Sequence, residues 1–133
     1  MSRQAYFDAL VRQETSLWNA VERRMRGGGV LSLARLEVLR VIDASPTGVR
    51  VQDLADAVGT TIGAASRILD RIAAEGIIER SADPDDRRSV RVTLTPKGGE
   101  ALALTKARFD AALDAVLATA DPEDLRQGTA ALE

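Results

Sequence analysis

The stretch IIERSADPDDRRSVRVTLTPKG, Ile77 to Gly98, is where the periodicity of the chain changes. Ile77-Ile78-Glu79-Arg80 reads as a strand and Ser81 to Arg88 as a polar loop. Val90, Val92 and Leu94 then alternate with Arg91 and Thr93, the period of two expected of a half-buried strand. Asp83-Pro84-Asp85-Asp86 supplies the turn, because proline presets the backbone at a turn's second position and aspartates bond to nearby N–H groups. The segment is therefore a β-hairpin with Asp86, Arg87 and Arg88 at or near its tip.

Upstream of the hairpin the period is helical. Thr60 or Thr61 can cap a helix in which Ile62, Ala65, Leu69 and Ile72 face inward, ended by Gly76. Before it, Asp53 to Val58 forms a short helix with Leu54, Ala55 and Val58 inward and Gly59 just past its end. Two short helices joined at a glycine make a helix-turn-helix, and the hairpin that follows makes it a winged one. Val49-Arg50-Val51 alternates like a very short strand. Ser32 caps a helix whose face is Leu33, Leu36, Leu39 and Ile42, stopped by Ser45-Pro46-Thr47-Gly48. From Tyr6 to Arg26 apolar residues recur at steps of three and four, and Gly27-Gly28-Gly29 ends that long helix as a hinge. Downstream, Thr95-Pro96 opens another long helix to about Ala120, and Asp121-Pro122 begins a short last one. The expected fold is mainly α with a small β-hairpin wing. It is a single domain over 1–133, with long terminal helices (1–26 and 97–133) around a winged helix-turn-helix lobe (31–95).

Composition narrows the chemistry. With no cysteine and no histidine, thiol chemistry, disulfides, the usual zinc sites and imidazole acid–base catalysis are all excluded. No apolar run approaches the roughly 18 residues that span a bilayer, and the amphipathic start is unlike a signal segment, so a cytoplasmic location is expected. The net charge of −2 is unevenly spread: residues 1–50 carry 8 Arg against 5 acids, whereas residues 100–133 carry 3 basic residues against 7 acidic ones. Nucleic-acid affinity depends on where the cations face rather than on the total. Sixteen of the 18 basic residues are Arg, the side chain suited to forked contacts with phosphate and guanine.

The helix over 60–75 has outward residues Thr61, Gly63, Ala64, Ser66, Arg67 and Arg71, with Thr60 just before it. They are small near the start and basic further along. A helix entering the major groove needs that profile, since small leading residues bring its backbone close to the base edges. The wing over 81–91 carries Arg87, Arg88 and Arg91, long enough to reach an adjacent minor groove.

At these residues the chain resembles the multiple-antibiotic-resistance regulator (MarR) family of bacterial winged-helix regulators, over nearly its whole length. The signature of Asp86, Arg88, Leu94, Thr95, Lys97 and Gly98 carries the resemblance. It implies that Arg88 reaches toward the minor groove, that Asp86 orients nearby arginines, and that Thr60 to Arg71 holds the recognition surface. It also implies a repressor that binds double-stranded operator DNA as a homodimer through intertwined terminal helices.

The terminal helices have apolar faces broader than a small winged helix needs, with Phe7, Leu10, Phe109, Leu113, Val116 and Leu117 as the candidate dimer interface. Packing of these helices on each other within one subunit is the competing reading. With redox and imidazole switches excluded, a small-molecule effector remains, for which Trp18 and Tyr6 could supply stacking and Arg23, Arg24 and Arg26 an anion partner. No cofactor and no metal site are expected. Two other classes compete: a winged-helix protein-interaction module without specific DNA binding, and an enzyme built on Asp83, Asp85 and Asp86, which could hold Mg²⁺ weakly. The first lacks exposed aromatics on the 60–75 helix, and the second lacks a nucleophile.

Overall fold

The computed structural model describes residues 2–133. Its elements are α1 (Arg3–Met25), α2 (Leu33–Asp43), β1 (Val49–Arg50), α3 (Val51–Val58), α4 (Ile62–Ala74), β2 (Ile78–Ala82), β3 (Val90–Leu94), α5 (Pro96–Val116) and α6 (Pro122–Leu132). The fold is a winged helix-turn-helix flanked by terminal helices.

Short polar side chains start most of the helices. Ser2, Ser32, Thr61 and Thr95 each accept a hydrogen bond from the N–H three residues on, satisfying a donor that has no partner inside the helix. The Ser2 cap starts α1 at Arg3, three residues before the start expected from its apolar period. Between α3 and α4 the chain reverses at Gly59, which is left-handed at φ +71°. There the Thr60 N–H donates to the Ala55 carbonyl at 2.9 Å and closes α3.

The sheet is three-stranded and antiparallel in the order β1-β3-β2, so the hairpin gains a third strand. Ile78 pairs with Leu94 and Ala82 with Val90, while Val49 and Arg50 of β1 lie opposite Val92 and Arg91. Other boundaries also differ from expectation. Val51 begins α3 rather than ending β1, and Ser81 and Ala82 extend β2 into the expected loop because both pair with β3.

The core gathers Leu36, Leu39, Ile42, Leu54, Leu69, Ile72 and Val92, with Val21 and Met25 from the end of α1 and Leu102 from α5. Ile62 is a correction. Its spacing from Ala65 predicts an inward side chain, yet it stands 54% exposed, because the first turn of α4 projects past the layer that covers Ala65, Leu69 and Ile72. At the other end of that helix, the Thr95 hydroxyl donates to the Gly76 carbonyl at 2.6 Å and Lys97 Nζ to the Glu75 carbonyl at 2.7 Å. Gly98 meets the Ile77 carbonyl so closely that a Cβ there would lie 2.0 Å from the oxygen. The Thr-x-Lys-Gly of the signature therefore bolts α5 to the turn between α4 and β2.

Candidate nucleic-acid interface

Thr61 caps α4, and Thr60, Gly63, Arg67 and Arg71 are exposed along it, with Ala64 and Ser66 half-buried. In the wing, Arg87 and Arg88 are exposed. Among the described residues, ion pairs engage Arg35, Arg40, Arg50, Arg80, Arg91 and Arg126, whereas Arg67, Arg71, Arg87 and Arg88 are in none. These four cations lie on α4 and the wing tip, where external anions can reach them; Arg3, Arg12, Arg23, Arg24, Arg26 and Arg108, on α1, just after it and on α5, are likewise in no ion pair.

Arg91 departs from the sequence reading. It is grouped there with the DNA-facing arginines, but its guanidinium turns inward, with Nε 3.2 Å from Asp83 Oδ1 and Nη1 3.4 Å from the Gly48 carbonyl. The Nε contact is ionic, since that atom has no hydrogen-bond partner. Arg50 meets the same carboxylate from β1, with Nη2 2.7 Å from Oδ2. Asp83 is the residue that sequence reasoning missed. Its side chain is fully buried, and it also accepts the Asp85 N–H at 3.0 Å. That backbone bond is the chief cause holding the Asp83 carboxyl below the usual carboxylate range; burial opposes it, and Arg50 and Arg91 add to the lowering.

Asp86 meets the wing through the backbone rather than through a guanidinium. Its Oδ1 accepts the Arg88 N–H at 3.0 Å, so it sets the backbone of Arg88, and the carboxylate that grips guanidinium groups is Asp83. With Asp83 buried under two arginines and Asp86 turned to a backbone amide, the acidic turn is occupied with its own structure. No metal-holding group of carboxylates forms among the described residues.

Trp18 lines a cavity of about 210 Å³ between α1, α2 and α5, walled by Leu17, Val21, Leu33, Phe109 and Leu113 with Glu14 and Glu37 at its polar edge. It also borders a second cavity, of about 400 Å³, that reaches Val58, Thr60 and Ile68. Tyr6 lines neither. It sits twelve residues earlier on α1, about 18 Å along the helix axis, and is 53% exposed. Arg23, Arg24 and Arg26 line neither cavity, so the anion partner expected of them is absent and the charged walls are carboxylates. Arg40, which contacts two of the lining residues, is engaged with Glu37 at 3.1 Å and with the Phe109 ring, 4.6 Å from its centroid.

The candidate dimer residues divide into two sets. Phe109, Leu113 and Val116 pack against the subunit's own core, and Leu117 is half-buried. Phe7 and Leu10 stay exposed at 63% and 38%, as do Leu125 and Leu132 of α6, a helix with no buried residue.

The model of the family described as MarR matches residues 31–90, from the end of the glycine hinge to the first residue of β3. The HTH-type transcriptional regulator BilQ of Clostridium symbiosum is 29% identical over 123 residues, covering 92% of this chain and 83% of BilQ. Over these residues the chain is similar to the MarR family. Among solved structures, the transcriptional repressor CouR bound to a 23-mer DNA duplex is 26% identical with a TM-score of 0.81, covering 93% of this chain and 86% of CouR. CouR from Rhodococcus jostii RHA1 bound to p-coumaroyl-CoA is similar at 24% identity and a TM-score of 0.79, over the same shares. The proteins that this chain is similar to are transcription regulators rather than enzymes. No helix among its described residues is long and apolar enough to cross a membrane.

Proposed function

We propose that the chain is a cytoplasmic, sequence-specific double-stranded DNA-binding regulator, a homodimeric repressor released by a small ligand. The observation that carries this reading is that Arg67, Arg71, Arg87 and Arg88, on the helix-turn-helix and the wing tip, are exposed and in no ion pair among the described residues. Helix α4 enters the major groove with Thr60, Thr61, Gly63, Ala64, Ser66, Arg67 and Arg71, and the wing brings Arg87 and Arg88 to the minor groove. Buried Asp83 holds the wing in register from behind, as preorganisation of a binding element requires. CouR, of the same fold, has been solved on a DNA duplex, which supports this docking.

The chain works as one unit, with the 31–95 lobe carrying DNA contact and the terminal segments 1–26 and 97–133 carrying dimerisation. Phe7, Leu10, Leu125 and Leu132 are large apolar side chains uncovered at both ends, and a second copy covers them through a two-fold contact. The effector occupies the cavity beside Trp18. The Glu14 and Glu37 walls favour an apolar ligand that is neutral or cationic over a carboxylate. Because Trp18 also borders the cavity that reaches Val58 and Thr60, a ligand that displaces it disturbs the turn before α4.

From a pool of random duplexes the protein is expected to enrich one two-fold symmetric site, with half-sites about 10 bp apart. Recovery of the pool without enrichment contradicts the reading.

A further inference from the structure

Ile62 is a large apolar side chain with no structural task. It is the first residue of α4 and 54% exposed, while the buried face of that helix is made by Ala65, Leu69 and Ile72. The helix start is secured by the Thr61 hydroxyl, which accepts the Ala64 N–H at 3.1 Å, so Ile62 contributes nothing to the cap. A single exposed isoleucine on a surface is ordinary. This one differs in its neighbours: Thr61 and Arg67 are exposed, and a Cβ at Gly63 would meet nothing within 4 Å, so the helix surface beside Ile62 is open to close approach.

The major groove offers hydrogen-bonding edges at every base pair but one prominent apolar group, the C5-methyl of thymine. We infer that Ile62 reads a thymine methyl in each half-site and so sets an A·T preference that the polar residues of α4 do not supply. This rests on the DNA-binding reading above and adds to it a base identity. An isoleucine cannot accept or donate, so at a G·C pair it would cover cytosine N4 or guanine O6 without a hydrogen bond, which disfavours that pair.

Deoxyuridine keeps every hydrogen-bonding group of thymidine and lacks only the methyl, so it isolates the contact. On the two-fold site enriched from random DNA, thymines are replaced one position at a time by deoxyuridine, and binding is followed by fluorescence anisotropy for wild type and Ile62→Ala. One position per half-site is expected to weaken the wild type about fourfold, the transfer value of one buried methyl, and both together about fifteenfold. Ile62→Ala should bind the two forms equally while keeping the wild-type unfolding temperature, since Ile62 lies outside the core. Indifference of the wild type at every thymine overturns the inference, as does a loss that persists in Ile62→Ala. Either outcome leaves the DNA-binding reading standing, whereas failure to enrich any site removes that reading and this inference with it.

Discussion

Gly98→Ala is expected to lower the unfolding temperature by about 10 °C, a cost of about 3 kcal/mol. The new Cβ would lie 2.0 Å from the Ile77 carbonyl oxygen and 3.0 Å from its carbon, and neither is a flexible side-chain end that can move aside. That carbonyl is fixed by the Thr95 N–H at 3.1 Å and lies just before β2, so relief requires separating α5 from the sheet. Gly99 provides the control. A Cβ there meets nothing within 4 Å, and Gly99→Ala in the exposed first turn of α5 should be neutral or stabilising by up to about 1 kcal/mol. Thermal unfolding of the two variants side by side tests the close approach, and equal behaviour would refute it.

Asp83→Asn should destabilise the protein at neutral pH and lose that effect in acid. The substitution keeps the acceptor for Asp85 N–H but removes the charge that Arg50 and Arg91 share, leaving two guanidinium groups beside an amide. Because the folded carboxyl titrates below its unfolded value of about 3.9, its contribution is complete above that pH. It is lost as pH falls through the folded value. The gap in unfolding temperature between wild type and Asp83→Asn is therefore expected to be flat from pH 8 to 5 and to close below about pH 4. A gap unchanged down to pH 3 would mean that the charge of Asp83 is not what holds the wing. DNA affinity should fall in parallel at neutral pH, because the variant frees the strand that carries the wing arginines.

The helices and the hairpin were legible because their signals are local: a capping hydroxyl, a glycine at the reversal, a switch of period after Gly76. Less legible were features made by distant residues. β1 is two residues long, and only its pairing with β3 sets Arg50 opposite Arg91 with Asp83 behind both. An aspartate in a Pro-containing turn ordinarily faces solvent, and nothing within the turn marks Asp83 as buried; the signal lies 33 residues upstream. Arg91 reads as a DNA-facing arginine for the same reason, since alternation along β3 does not say that a carboxylate lies beneath it. Ile62 failed through extrapolation, because the helical period continues to the first residue of α4 while the covering layer does not. An apolar stripe on α5 does not by itself distinguish a partner from α1 and α2 of the same chain, against which Phe109 and Leu113 are partly buried.

In the proposed function, α4 and the wing grip DNA through Arg67, Arg71, Arg87 and Arg88, none of which is in an ion pair among the described residues. The most direct test is anisotropy on the enriched site across a salt series, for wild type and Arg88→Ala. The expected result is a steep fall of affinity with salt in the wild type, and a logarithmic slope shallower by about two in Arg88→Ala, one for each subunit. A shallow wild-type slope that Arg88→Ala leaves unchanged would contradict DNA contact by the wing and bring the protein-interaction module forward.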